Sequence, residues 1–322
     1  MLNHIDQIWP SLLQLAMASP QVDGTQGRLD GEIIGASILL DGSQEQFCLN
    51  PRRRLSPIYA SAELLWYLRM EYDIAMIKAY APQYEKFADP HGRAFGAYGG
   101  RLAGNLEHVT DGVSDENLLE EAIVLLQRKP STKKCVISLW RPDDILYSGH
   151  RDYYTHCKDI PCTISWQFLR RGEELHMICN MRSNDLWLGF LYDVYVNTVI
   201  QRYVAAKLGC RAGIYRHNAG SLHLYERNVK AAGEACSIGI LDSVVYHTPS
   251  ALECGWSQDD LKLALEAEEA VRLHKAVYCS SEVGSVLNDA LLCCQAQWDR
   301  SDLNFRSPVL RQAMTQYLKE KV

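Results

Sequence analysis

The 322-residue sequence lacks several features that would place it in a specialised class of protein. No apolar run approaches the length of about 18 residues that a membrane-spanning helix needs. The net charge is -6, whereas a general nucleic-acid binder usually carries a basic excess. Internal repeats and low-complexity tracts are also missing. These absences argue against a membrane protein, a nucleic-acid-binding protein and a repeat protein.

The cysteines and the N-terminal segment both favour a cytoplasmic protein. The 11 cysteines are an odd number and include no CxxC pair, so their spacing predicts neither a zinc site nor a disulfide framework. Cys293 and Cys294 are the only close pair, and most of the thiols are expected to be reduced and buried. The N-terminal segment lacks a basic region and carries Asp6 and Pro10 within its apolar stretch, which argues against a signal peptide. We expect no metal.

The hydrophobic content of 47% suffices for a large core, and helical and strand patterns alternate along the chain. The fold class is therefore α/β or α+β. Residues 81–112 are rich in Gly, Pro, Asp and aromatics and are expected to form an ordered functional loop region. Apolar spacing predicts helices over residues 3–18, 56–80, 117–128, 191–208, 258–276, 281–297 and 307–320. Strands are predicted at residues 32–40, 135–140, 162–171, 173–183 and from Gly220 onward.

The most unusual residues are concentrated between positions 161 and 225. The run RSND, residues 182–185, directly follows an apolar strand. Such a run can be a plain turn, but Arg and Ser at a strand end can also hold a phosphate. Lys133 and Lys134 precede another buried strand, although a lysine pair is usually a solvated surface feature. Cys162 follows Pro161, and taken alone it is more simply a core thiol than a nucleophile.

Read together, these segments resemble the thymidylate synthase family, and most closely its deoxycytidylate hydroxymethylase branch. The resemblance covers roughly residues 30–230 and does not extend to the last third of the chain. The longest matching motifs are MRSNDLWLGF and GSLHLY. The matching segments, in family order, are EIIGAS, AELLWYL, the Tyr98-Gly99 pair, the basic pair before CVISLW, PCT, QF, MRSNDLWLGF, YD and GSLHLY.

The resemblance implies a thymidylate synthase-like fold: a large mixed or antiparallel sheet with covering helices and extra C-terminal helices. Residues 1–255 would form the catalytic domain, and residues 256–322 a C-terminal helical extension of it. Two sheets would pack back to back in a homodimer. Lys133 and Lys134 would reach the phosphate held by the other subunit, where the family carries two arginines. Lysine keeps the charge but loses the bidentate fork.

The resemblance also implies the chemistry. Cys162 would add to C6 of a pyrimidine nucleotide, and the activated C5 would attack the methylene of the co-substrate 5,10-methylenetetrahydrofolate. Arg182 would stabilise the thiolate while contacting phosphate. Glu63 would organise water and move protons. Its position between Ala62 and leucines independently suggests a raised pKa, although an exposed helix position is the alternative.

Further residues of the site follow from the same motifs. The catalytic set would be Cys162, Glu63, Asp193 and Tyr98. The nucleotide would be bound by Lys133, Lys134, Gln167, Arg182, Ser183 (phosphate), Asn184 (near the base), Asp193, and His223 with Tyr225 (the 3′ hydroxyl). Asp185, Tyr84 and Glu63 would meet the folate.

Asp193 indicates which base is bound. Thymidylate synthases carry Asn at the matching position, where the amide bonds the O4 and N3–H edge of uracil. Cytosine presents a 4-amino group instead, and an acidic side chain can accept a hydrogen bond from it. Thr163 after the cysteine is a further feature of the cytosine branch, so the expected substrate is dCMP or CMP.

The sequence leaves two products open. Water would give a hydroxymethyl group, whereas hydride from the folate would give a methyl group and dihydrofolate. Tyr84 lies near the position of a bulky synthase Trp, and the terminal LKEKV differs from the synthase tail, so we favour hydroxymethylation. A C5-methyltransferase and a non-catalytic nucleotide-binding protein are the alternatives.

Overall fold

A computed structural model of the chain describes residues 3–24, 27–104, 117–149, 159–238, 246–276, 278, 285–300 and 303–319. Across these residues the strands form one six-stranded sheet in the order β1-β2-β6-β5-β4-β3. The β5–β6 pair is parallel and the other pairs are antiparallel, which confirms the predicted mixed sheet. The strands are β1 (Val22–Gly24), β2 (Gly27–Asp41), β3 (Val136–Ser138), β4 (Thr163–Arg171), β5 (Glu174–Asp185) and β6 (Arg211–Tyr225).

Helices before, between and after the strands complete the α/β fold. The helices are α1 (Ile5–Ala18), α2 (Pro57–Leu68), α3 (Ala75–Tyr80), α4 (Tyr98–Leu102), α5 (Leu118–Arg128), α6 (Pro142–Gly149), α7 (Phe190–Lys207), α8 (Val229–Ser237), α9 (Ala251–Cys254), α10 (Gln258–Arg272), α11 (Ser285–Gln295) and α12 (Pro308–Lys319). Two short 3₁₀ helices span Pro82–Phe87 and Glu226–Asn228.

The single long helix predicted over residues 56–80 is wrong. The chain forms α2 and α3 instead, because Met70 adopts a left-handed φ of 56° just after α2. A right-handed helix cannot continue through such a residue. The indole of Trp66 donates to the carbonyl of Asp73, 2.7 Å away, and fixes the loop between the two helices.

The C-terminal helices pack into the main body. Ser257 caps α10 in a capping box with Asp260, as the local sequence predicts. Helix α11 packs against α2, and its Cys293 and Cys294 are fully buried there. The boundary at residue 255 stays a prediction, because the helices after it share the hydrophobic core with α2.

The two faces of the sheet differ. Trp166, Cys179 and His217 occupy neighbouring strands in one row, and all three are buried. The adjacent row contains Gln167, Ile178 and Arg216, which are partly exposed. We call the face with this second row the open face. It is the face on which a second sheet could pack.

The register of β5 and β6 brings the two longest sequence motifs side by side. Ser183, Asn184 and Asp185 pair with Ser221, Leu222 and His223 respectively. Gly220 is required at the start of this stretch, because a Cβ there would lie 2.9 Å from the carbonyl oxygen of Arg182. The hairpin between β4 and β5 turns at Gly172, whose φ is 59°, as predicted from the Arg171-Gly172 turn.

Helices long and apolar enough to cross a membrane are not found among the described residues. The same residues contain no cluster of three or more His, Cys, Asp or Glu side chains able to hold a metal ion.

Candidate active site

Tyr98 holds the segment that carries the expected nucleophile. Its phenol oxygen accepts hydrogen bonds from the backbone amides of Cys162 (3.2 Å) and Thr163 (3.0 Å). The ring of Tyr67 packs edge-on against Tyr98, with centroids 5.1 Å apart. Cys162 lies just before β4 and is partly buried, so its backbone is fixed while part of the residue stays accessible.

Arg182 also holds the segment that carries Cys162. Its guanidinium donates to the carbonyls of Ile160 (3.0 Å) and Pro161 (2.9 Å). Burial raises the pKa of the Cys162 thiol to about 11, and the positive charge of Arg182 opposes that rise. The negative charges of Asp193 and Asp159 add to it. Arg182 therefore lies next to the segment where a thiolate-stabilising cation is expected, but burial has the larger effect on the pKa of the thiol.

Glu63 is buried on α2, so the exposed alternative is wrong. The Tyr59 hydroxyl donates to Glu63 Oε1 (2.8 Å) and lies 3.2 Å from the Tyr84 hydroxyl. Burial and the charge of Asp193 raise the pKa of Glu63 to about 8, whereas the tyrosine hydroxyls lower it. This confirms the raised pKa expected from the sequence. The acid–base role of Glu63 stays a prediction.

Asp193 lies in the first turn of α7 and faces the end of β5. Asn184 Nδ2 donates to Asp193 Oδ2 over 2.7 Å. Burial raises the pKa of Asp193 to about 7, and the Asn184 hydrogen bond opposes the rise. A carboxyl with such a pKa can be present in either protonation state near neutral pH. It can therefore accept from an amino group or share a proton with a ring nitrogen.

Asp185 and His223 lie beside each other at the ends of β5 and β6. Asp185 Oδ1 accepts from the amides of Trp187 (2.8 Å) and Leu188 (3.1 Å). Burial lowers the pKa of His223, and the Asp185 charge opposes this. The ring of Tyr225 meets that of His223 edge-on at 5.0 Å. Ser183, on the neighbouring position of β5, pairs with Ser221 of β6.

The remaining predicted residues lie elsewhere in the chain. Lys133 and Lys134 are exposed before β3. Gln167 points to the open face, where its amide donates to the Lys133 carbonyl (3.0 Å). No hydrogen bond, ion pair or ring contact among the described residues joins these three side chains to Cys162, Glu63 or Asp193. The role predicted for Lys133 and Lys134 requires a second subunit, and the role predicted for Gln167 in binding the nucleotide stays a prediction.

Sequence reasoning missed three residues of the site: Tyr59, Asp159 and His217. Tyr59 lies one helical turn before Glu63, a spacing that could have indicated the pair. Burial raises the pKa of Asp159 to about 6, and the charges of Arg101 and Arg182 lower it. His217 is fully buried beneath α7 and bonds Asn184. Asp159 lies just before Pro161 and Cys162 in the chain, but no motif marked it. His217 meets the site only through tertiary structure, so spacing gave no signal for it.

Two buried carboxylate oxygens of this region have no hydrogen-bond partner among the described residues: Glu63 Oε2 and Asp185 Oδ2. Buried acceptors are normally paired, so each of them fits a donor from a bound molecule. The N–H groups of a pterin are donors of this kind. The residues predicted to meet a folate are therefore compatible with one.

Comparison with known proteins agrees with this fold. A family profile described as thymidylate synthase matches residues 15–239. Over 104 residues the chain is 31% identical to the thymidylate synthases of Bacillus subtilis subsp. natto and of Bacillus phage phi3T, covering 32% of this chain and 34% of each relative. It is 26% identical to that of Bacillus mojavensis over 172 residues, 53% of this chain and 58% of the relative. In each case the match spans less than two thirds of the relative's length.

The mixed sheet with its covering helices has a thymidylate synthase-like fold, and its site lies where β5 and β6 end beside α2 and α7. The profile match covers well over half of the chain. The chain belongs to the thymidylate synthase family.

Proposed function

We propose that this protein transfers a one-carbon unit from 5,10-methylenetetrahydrofolate to C5 of a cytidine monophosphate, dCMP or CMP, and releases the 5-hydroxymethyl nucleotide. The observation that carries the proposal is the acidic residue at position 193, held by Asn184 over 2.7 Å in the first turn of α7. Asn184 donates to Asp193 Oδ2, and no hydrogen bond from a described residue reaches Asp193 Oδ1. Oδ1 can therefore accept a hydrogen bond from the 4-amino group of cytosine.

Cys162 supplies the covalent step. Its thiolate adds to C6 of the base, which makes C5 nucleophilic toward the methylene carbon that the folate carries. The thiol has a pKa of about 11 because it is buried. A proton must therefore leave Cys162 as it attacks. Asp193, with a pKa of about 7, interacts electrostatically with the thiol, and Glu63, with a pKa of about 8, interacts with Asp193. Both pKa values suit a group that takes up a proton near neutral pH.

The polar groups around Glu63 support addition of water as the last chemical step. Glu63, Tyr59 and Tyr84 form a continuous polar series, 2.8 Å and 3.2 Å between successive oxygens. Such a series can orient a water molecule and take its proton as water adds to the C5 methylene. A purely apolar wall would instead exclude water from a reactive intermediate. Tyr84 therefore favours hydroxymethylation over methylation.

The partner we propose is a second copy of this chain. Ile178 lies near the middle of the open face, and polar side chains beside it already bond one another. Asn180 accepts from Asn218 (3.0 Å), and Asn218 accepts from Ser37 (2.8 Å). Because these amides are satisfied within one subunit, a second sheet can cover them without leaving buried polar groups unpaired. Lys133 and Lys134 lie beside Gln167 of this face. They would then bind the phosphate of the nucleotide held by the other subunit.

The test is product identity. Purified protein is incubated with methylenetetrahydrofolate and each of dCMP, CMP and dUMP, and the products are separated and weighed by mass spectrometry. We expect the 5-hydroxymethyl cytidine nucleotide with release of tetrahydrofolate. A methylated product with dihydrofolate absorbance would show a methyltransferase, and inactivity with all three nucleotides would indicate a binding protein. Cys162→Ala should abolish turnover, whereas Cys236→Ala, a partly buried thiol on α8, should retain it.

A further inference from the structure

A series of buried hydrogen bonds runs from Asp193 into the core. Asn184 bonds Asp193 on one side and His217 Nε2 on the other, with 3.0 Å from Nε2 to Asn184 Oδ1. His217 Nδ1 lies 2.9 Å from the Tyr215 hydroxyl, which accepts from Asn197 Nδ2 over 3.0 Å. We call the residues Asn184, His217, Tyr215 and Asn197 the buried relay. All four are at most 5% exposed.

The direction of every bond in the buried relay follows from the carboxylate at its end. An ionised Asp193 only accepts, so Asn184 must turn its NH₂ toward it and its oxygen toward His217. His217 must then carry its proton on Nε2 to donate to that oxygen. Its Nδ1 is left as an acceptor for the Tyr215 hydroxyl, and the Tyr215 oxygen accepts from Asn197. This assignment gives each of these atoms a partner of the opposite kind.

His217 cannot satisfy this pattern as a cation, because a protonated imidazole has no acceptor nitrogen. Its complete burial keeps it neutral, and burial lowers its pKa to about 3. The ring is also fixed in place, since Phe190 packs edge-on against it with centroids 5.1 Å apart. His217 is therefore neutral near neutral pH, and its tautomer is set by its surroundings while Asp193 is ionised.

We propose that His217 is a positioning residue for base recognition, which holds the Asn184 amide with its NH₂ toward residue 193 so that Asp193 Oδ1 is presented to the base. This inference rests on the proposed function of Asp193 as the cytosine reader. Without a donor at position 217, the Asn184 amide can rotate and present its oxygen to residue 193. A carboxylate facing that oxygen loses its partner and the fixed orientation that selects cytosine.

The buried relay also predicts how the new side chain is oriented in the Asp193→Asn variant. The NH₂ of Asn184 would attract the oxygen of the new amide, so the new NH₂ would face the base. An outward NH₂ can donate to O4 of uracil. The preference of Asp193→Asn for uracil should therefore depend on His217, although His217 contacts neither residue 193 nor the base directly.

Two measurements test this inference. The first uses wild-type protein labelled with ¹⁵N-histidine, in which NMR reports the tautomer of His217 at about pH 9, above the Asp193 pKa of about 7. The signal is assigned with His217→Phe. We expect a neutral ring with the proton on Nε2. A proton on Nδ1, or a charged ring, would overturn the proposal, and the result needs no catalytic activity.

The second measurement compares kcat/KM for dCMP and dUMP in variants. His217→Phe should narrow the dCMP preference by about tenfold, the effect of one hydrogen bond. His217→Gln, which has both a donor and an acceptor, should recover most of the preference. In the Asp193→Asn background, His217→Phe should likewise weaken the preference for dUMP. Thr198→Val is the matched control, because Thr198 is buried on α7 but bonds only carbonyls of its own helix.

The outcomes separate the two claims. If His217→Phe folds and keeps the wild-type ratio of dCMP to dUMP, His217 has only a structural role and the inference is wrong. If the wild type turns over no pyrimidine nucleotide, the proposed function fails, while the tautomer still shows whether the relay has the stated direction.

Discussion

The Tyr59 hydroxyl donates to Glu63 Oε1 over 2.8 Å within α2, one helical turn apart, and Glu63 Oε2 has no partner among the described residues. One oxygen of the carboxyl is thus held by the protein and the other is available for a ligand or a water molecule. Because the residue is buried and lies near Asp193, its pKa is raised to about 8. Tyr59 opposes that rise by stabilising the charged form.

Removing this hydroxyl should change the pH dependence of turnover. In Tyr59→Phe the carboxylate loses a donor, so the pKa of Glu63 should rise further above about 8. The acidic limb of kcat/KM, which rises as a general base loses its proton, should move to higher pH. Tyr80→Phe is the control, because it removes an equally long bond from a tyrosine to a buried carboxyl, Glu268, outside the site. An unshifted limb in Tyr59→Phe would mean that the limb does not report Glu63.

The raised pKa of Glu63 has a consequence for stability as well. A carboxyl whose pKa is higher in the folded than in the unfolded protein favours folding below its ordinary pKa, and that contribution is lost as pH rises through about 8. Glu63→Gln should therefore gain stability relative to the wild type as pH rises from about 5 to about 9. Urea denaturation at several pH values measures this. A difference that is constant with pH would contradict the raised pKa.

Tyr98→Phe should impair both folding and catalysis. The Cys162 and Thr163 amides share the Tyr98 oxygen as their acceptor. Leaving buried donors unpaired costs about 1–3 kcal/mol. We expect a lower free energy of unfolding, measured with urea, together with a lower kcat because the nucleophile is less well fixed. Tyr203→Phe removes a hydroxyl bonded to Glu120 and should retain kcat.

Asp193→Asn should shift the substrate preference from cytosine toward uracil. The amide presents a donor to O4, whereas the carboxylate presents only acceptors. The readout is kcat/KM with dCMP, CMP and dUMP. Asp185→Asn is the matched substitution, because Asp185 is expected to bind the pterin. It should lower activity with every base without changing their ratio. An unchanged preference in Asp193→Asn would remove Asp193 as the base reader.

A charge on the open face should separate the proposed dimer. Ile178→Glu places a carboxylate near the middle of the face, and burying it against a second sheet without a partner would be costly. We expect a monomer by sedimentation velocity and loss of activity, since Lys133 and Lys134 could no longer reach a partner. Leu252→Glu, at a site that is 92% exposed on α9, should leave the dimer intact. A dimeric Ile178→Glu protein would place the interface elsewhere.

The sequence by itself determined the family, the mixed α/β class and most helices and strands. The motifs RSND and GSLHLY fix residue types at positions where side chains must meet, and apolar periodicity marks faces that must be buried. It also indicated the raised pKa of Glu63, because an acidic residue among apolar helix neighbours is desolvated on folding. It missed the break after α2, since the left-handed conformation of Met70 has no signature in the apolar pattern.

Only the tertiary structure decided which groups act on one another. The parallel pairing of β5 with β6 places Asp185 beside His223. His217 on β6 and Asp193 on α7 belong to different elements, and Asn184 connects them by hydrogen bonds to both. Burial, which depends on every packed neighbour, raises the pKa of the Cys162 thiol to about 11, although the charge of Arg182 opposes the rise. Residue identities name the chemistry that is available, and desolvation and distance, which only the fold supplies, set its direction.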